Sequence, residues 1–172
     1  ESQVISRHTD LKARKLKDKG KCFYTIGSSG HEGNAVFGKF FPFTDTAFLH
    51  YRSAAFFLER SKQINGSTPL YDLALSYMAS SEDPISGGRH KVIGSKKLNI
   101  PPQTSTIASH LPKAVGTAFS IDRAKDLNLE TKEFNIKYET CKKFRWIRDR
   151  NSFQCSCRSK KIRGCWKTND TS

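Results

Sequence analysis

Apolar residues recur at helical spacing in several stretches of this chain, separated by polar turns. Residues 2–19 carry Val4, Ile5, Leu11 and Leu16 among charged neighbours. This is the pattern of an amphipathic basic helix, and Gly20 just beyond suits a left-handed stop. Residues 22–26 are short and apolar, and Gly27-Ser28-Ser29-Gly30 predicts a turn into a helix starting near His31. Residues 47–62 read as one strongly apolar helix. Phe48, Leu49, Ala54, Ala55, Phe57 and Leu58 are its expected buried face, and Glu59, Arg60 and Lys62 its outer one. Its cationic last turn suits the helix dipole.

Thr68, a cap residue, and Pro69, at the first helical position, open a further helix. Leu70, Leu73, Ala74, Tyr77 and Met78 then fall at i, i+3, i+4, i+7 and i+8. Residues 80–97 form a long loop rich in Gly, Ser and charge, a length that is more often functional than idle in a compact domain. Residues 98–100 suit a short extended piece. A last helix is expected from about Ser109 to Asp126. Ser109 can cap it, Pro112 sits in the first turn where its missing N–H costs little, and Ala114, Val115, Ala118 and Phe119 follow at helical spacing.

Composition places 172 residues, 36% of them apolar with twelve Phe, within reach of one ordinary domain with a core. No run of eighteen apolar residues occurs, so no membrane span is expected, and no secretory signal is visible. The first residue is Glu1 rather than Met, which suggests a processed chain or a fragment.

The net charge of +14 brings nucleic acid into view. Its distribution narrows that reading. Residues 1–130 hold 18 basic against 12 acidic side chains, whereas residues 131–172 hold 12 against 4. Cys141, Cys155, Cys157, Cys165 and both Trp also follow residue 130, so a compositional boundary is expected near Thr131. One C-x-C pair and two single cysteines fit a structural zinc site poorly.

Tyr51-Arg52 is the strongest chemical candidate, because Arg presents a planar fork of donors to phosphate oxygens and Tyr can hydrogen-bond or stack beside it. On residue type alone, a helix-surface Arg in a salt bridge beside a Tyr at the core edge is the better explanation of the pair. His31-Glu32 is mainly structural, since neighbours on a helix point about 100° apart. Gly87-Gly88-Arg89-His90-Lys91 is a cationic loop able to gather a phosphate or a carboxylate. The segment 100–118 feeds a polar loop into a small-residue helix, an arrangement that can hold a ligand by backbone groups.

These segments resemble a known family. Ser28-Ser29-Gly30-His31-Glu32-Gly33, Tyr51-Arg52, Gly87-Gly88-Arg89, Gln103-Thr104-Ser105 and the run from His110 to Gly116 stand in the order found in one enzyme subunit. That subunit is the alpha subunit of the thiamine diphosphate-dependent decarboxylating component of 2-oxo acid dehydrogenase complexes, of the pyruvate and branched-chain type. The resemblance covers about residues 5–128.

The resemblance implies an α/β thiamine diphosphate-binding fold, of which this chain holds the N-terminal part, mostly helical. It implies that Tyr51 and Arg52 contact the cofactor diphosphate, and that backbone groups of Ser105 and Ile107 meet its aminopyrimidine. His90 is then the candidate to line the catalytic centre, with Val92 standing where the family usually has a His. Thr104, Thr106, Ser109 and His110 match a monovalent-cation loop in some members, with His110 in place of the usual Gln.

The expected cofactors are thiamine diphosphate and magnesium. The Asp of a Gly-Asp-Gly turn and the later Asn that ligate magnesium in the family are missing from this sequence. The implied partners are a beta subunit or fused beta half, a lipoyl-bearing acyltransferase and a 2-oxo acid substrate, without membrane or nucleic acid. The segment Gly94-Ser95-Lys96-Lys97-Leu98-Asn99 looks most like bacterial versions, which points to the cytoplasm ahead of the mitochondrial matrix. The expected chain is therefore a partial domain over 1–130 with a non-homologous basic tail over 131–172. It should be inactive alone and poorly packed where helices 47–62 and 109–126 expect a sheet between them. The competing reading is a basic nucleic-acid-binding protein, carried by residues 12–17 and by Phe144, Trp146 and Phe153 among the tail's Lys and Arg.

Overall fold

The structure, a computed structural model, describes residues 1–23, 26–106 and 108–127, together with the backbone of two strands at 145–149 and 152–156. The described elements are α1 (Ser2–Asp18), a 3₁₀ turn (Glu32–Asn34), α2 (Ala35–Phe40), β1 (Ala47–Phe48), α3 (Ala54–Ser61), α4 (Pro69–Tyr77), α5 (His110–Asp126), β2 (Arg145–Asp149) and β3 (Ser152–Ser156). None of the described helices is long and apolar enough to cross a membrane.

The end of α1 follows the expected stop. Gly20 has φ +68°, its N–H donates to Lys17 O at 2.8 Å, and Lys21 N–H donates to Leu16 O at 2.9 Å. These paired bonds absorb carbonyls that the helix end would leave open.

The face that α1 buries is not the expected one. Ser2, Ser6, Asp10 and Ala13 are the buried positions, while Val4 and Leu11 are 59% and 43% exposed. Only Ile5 and Leu16 of the apolar set lean on the core.

At the centre lies α3, buried on nearly every side, as a helix surrounded by α1, α2 and α4 must be. Phe56, Phe57 and Leu58 join Leu49, Leu73, Tyr77, Ile93, Leu98 and Ile100 in one apolar cluster. Close approach of α2 to α3 depends on Gly38, where a Cβ would stand 2.5 Å from Phe56 O.

The sequence expectation of a single helix over 47–62 needs correction. Residues 47–48 form a strand, 50–53 turn, with Ser53 N–H donating to His50 O at 2.9 Å, and only 54–61 are helical. A short apolar run looks alike as strand or helix, and distant partners decide. Here Ala47 N–H donates to Asn99 O at 3.0 Å, and Ala47 and Phe48 pair antiparallel with Ser156 and Cys155. Arg60, expected outside, is fully buried. Its guanidinium donates to the carbonyls of Pro42 and Asp45, so it ties the 41–46 loop to α3.

The sheet order is β1-β3-β2, all antiparallel, and α5 packs against β1 and β3 with Ala114 meeting Phe48. On α5, the four apolar positions at helical spacing divide: Ala114 and Ala118 are buried, while Val115 and Phe119 are 44% and 62% exposed. The remainder of 128–172, with the tail's cysteines and aromatic side chains, lies outside the described residues.

Candidate functional site

The loop at 80–97 is built around Asp83, which accepts from Ile85 N–H, Ser86 N–H and, at 2.6 Å, Ser86 Oγ. Gly87 and Gly88 have φ +56° and +76°, and a Cβ on Gly88 would run into the Ala79 carbonyl. The turn therefore requires glycine there. Ser86 in turn contacts both backbone groups of His90, whose N–H donates to Ser86 Oγ at 3.1 Å. So held, His90 places Nε2 at 2.6 Å from Ser105 Oγ. Two residues singled out far apart in the sequence thus meet.

Tyr51 and Arg52 occupy the turn before α3 rather than the helix itself. Arg52 Nη1 donates to Gly27 O at 2.6 Å, and its guanidinium carbon lies 5.4 Å from the Tyr51 ring centroid. One donor of the guanidinium is thereby committed, on a side chain that remains half-buried. Beside it, Lys91 Nζ donates to Ile26 O and Tyr51 O, both at 3.1 Å, and sits 4.5 Å from the centroid of the Tyr77 ring. Lys91 is chain neighbour to His90, so the Tyr51-Arg52 turn and the His90–Ser105 pair are joined through one residue.

Three histidines extend the cluster. His50 packs on Tyr51 with centroids 3.8 Å apart, stacks with His31 at 6.0 Å and meets His110, the first residue of α5, at 6.2 Å. His31 and His110 are each 4% exposed.

The titration of the cluster follows chiefly from its burial. Burial pushes His50 down to about 4, helped by His31, His110, Arg52 and Lys91, so the ring is neutral at pH 7. Burial likewise pushes Lys91 down to about 8, with Asp10 opposing and Arg52 assisting.

Asp10 is the matching acid, and sequence reasoning missed it. It accepts from Ser28 N–H at 2.7 Å, Ser28 Oγ at 3.0 Å and Tyr77 OH at 2.8 Å. Ser6 Oγ shares a hydrogen bond with Ser28 Oγ. The only trace in the sequence is the four-residue spacing of Ser2, Ser6 and Asp10 within a basic stretch, which lines up one helix face. Gly27 is needed because a Cβ there would overlap the Asp10 carboxyl. Asp10 thus braces the 26–28 segment that receives Arg52 and Lys91.

Among the other sequence candidates, Ile107 lies outside the described residues. Thr104 and Ser109 share a hydroxyl hydrogen bond of 3.2 Å. His31 faces His50 rather than acting together with Glu32, which turns back to accept from Gly30 N–H at 2.8 Å. Among the described residues no group of three or more His, Cys, Asp or Glu could hold a metal ion. No protein-family model, curated protein or solved structure matches this chain.

Proposed function

We propose that the cluster binds the diphosphate of thiamine diphosphate, and that the chain forms the alpha-type part of a 2-oxo acid dehydrogenase that works with a beta partner. The observation that carries this reading is the convergence of the Tyr51-Arg52 turn, Lys91 and the first residue of α5 around His50.

The donors suit an anion. Arg52 keeps further guanidinium donors beyond the one given to Gly27. Lys91 acts differently: it spends donors on two carbonyls, so its role is to hold Tyr51 and the 26–28 segment in place. Neutral His50 can donate or accept without adding charge. Ser105, aligned by His90, presents the segment 103–105 to the same loop cluster. Thiamine diphosphate, when bound, supplies an electron sink for loss of carbon dioxide from a 2-oxo acid.

Magnesium does not fit in the same way. The described residues lack a cluster of hard oxygen ligands, so no step is assigned to the ion here. A partner is favoured by surface chemistry as well as by the resemblance. Val115 and Phe119 on α5, like Val36 and Phe40 on α2, form one-turn apolar pairs that are 44% to 73% exposed. The lipoyl-bearing acyltransferase and the cytoplasmic location belong to the same proposal.

The test is thermal unfolding of the full chain with added thiamine diphosphate and, separately, with inorganic pyrophosphate. At ligand about 100 times Kd the gain is about 2.7 kcal/mol, seen as a rise in Tm. Arg52→Gln should remove most of the rise while leaving the unliganded Tm within a few degrees. Absence of any rise, combined with DNA binding that falls steeply with salt, replaces this reading with the nucleic-acid one.

A further inference from the structure

A recess of about 550 Å³ runs between α1 and α4, and it shares only Tyr77 with the cationic cluster. Its base is Ile5, Ala13 and Tyr77, and its walls include Val4, Leu70 and Met78. These wall residues are 59%, 47% and 44% exposed, an uncommon state for three large apolar side chains gathered around one groove. Leu70, Ala74 and Met78 stand four residues apart, so they make one ridge along α4 and its C-terminal cap.

The charge beside the groove has one sign. On α1, Lys12 lines the recess next to His8, and Lys15, three residues further on, lies at the same side of the helix. The acids of α1 do not offset them within the groove: Asp10 is turned inward onto Ser28 and Tyr77, and Asp18 ends the helix. The described ion pairs belong to Lys62, with Glu1 and Glu59, not to this row.

We propose that the α1–α4 groove docks an amphipathic helix of a partner protein, its apolar stripe seated between the two helices and its flanks acidic. A groove between two helices accepts a third through side chains at i, i+3, i+4 and i+7, and an acidic flank meets Lys12 and Lys15 of α1. A second copy of the chain would bring its own basic α1 to the same place, which like-charge repulsion opposes. An anionic membrane would match the charge, but a flat surface does not fill a concave recess.

The experiment uses the full chain and a fluorescent helical peptide of about five turns, with Leu at i, i+3, i+4 and i+7 and Glu on both flanks, beside a twin with Lys for Glu. Anisotropy should show the Glu peptide binding at least about tenfold tighter at low salt, with the gap closing as salt rises. Ala74→Arg, at an exposed helical position where Arg is well tolerated, should cut binding about tenfold or more by filling the groove. Val4→Glu repeats the test from the other wall. Lys12→Glu with Lys15→Glu should reverse the preference between the peptides.

Equal binding of the two peptides overturns the proposal, as does binding that both wall variants leave intact. Sedimentation that reveals a dimer dissolved by Ala74→Arg assigns the groove to a second copy instead. Uptake by anionic vesicles without peptide binding assigns it to a membrane. Neither result bears on the cationic cluster, whose Arg52 test is separate.

Discussion

Helix α1 has two faces, and each has the chemistry usual for the other. The inner face buries Ser2, Ser6 and Asp10 at 2% exposure or less, while the outer one leaves Val4 and Leu11 in solvent. Polar burial is tolerable only where hydrogen bonds replace those lost to water. Asp10 meets that condition with three, and Ser2 with one to Glu59 at 2.5 Å. Among the described residues no such hydrogen bonds account for the outer face, and it is the face assigned above to a partner helix. The comparison separates what α1 does for the fold, bracing the 26–28 segment, from what it offers to a partner.

The largest effect should come from the inner face. Asp10→Ala strands Ser28 N–H and Tyr77 OH and leaves Lys91 without its nearby acid, so stability should fall by about 3–5 kcal/mol in urea unfolding. A loss below ~1 kcal/mol would make the buried row incidental.

Next is the pH dependence of the cation that Asp10 faces. The folded pKa of Lys91, about 8, lies below its ordinary 10.5, so the unfolded chain binds more protons between those values. Stability should therefore rise as pH climbs from about 8 towards 10.5, by on the order of 3 kcal/mol, and stay at its lower level below pH 8. Lys91→Met should flatten that rise, as chemical unfolding at a series of pH values can measure. On the acid side, His50 titrates at about 4 folded against 6.5 unfolded, so its contribution is lost as pH falls through that window.

Tyr77→Phe deletes one hydrogen bond to Asp10 while keeping the ring beside Lys91, and should cost about 1 kcal/mol. The smallest effect belongs to the outer face. Val4→Gln should change stability by less than ~0.5 kcal/mol while weakening the acidic peptide, the reverse of the Asp10 pattern.

Much of the helical layout could be read in advance. The stop at Gly20, the Thr68-Pro69 start and the helix from residue 110 to 126 all rest on local signals: a left-handed position, a fixed φ, a 3.6-residue period. The segment 47–53 could not be read that way, because its pairing partners are Asn99 and residues 155–156, far along the chain. The candidate site divides similarly. His90, Ser105, Tyr51 and Arg52 announced themselves by residue type and motif. Asp10 and His50 gained meaning only from neighbours brought together by folding, and His31 and Lys91, noticed in the sequence for other reasons, took their present roles there.

By its local pattern, the chain determined where most of its helices start and stop and which side chains can offer donors to an anion, since capping, φ preference and donor geometry act within a few residues. Which face of α1 points inward, and that Arg60 is buried while Val4 is not, were decided by tertiary structure alone. A polar side chain enters a core only if its partners arrive with it, and Ser28, Tyr77, Pro42 and Asp45 reach theirs through the fold.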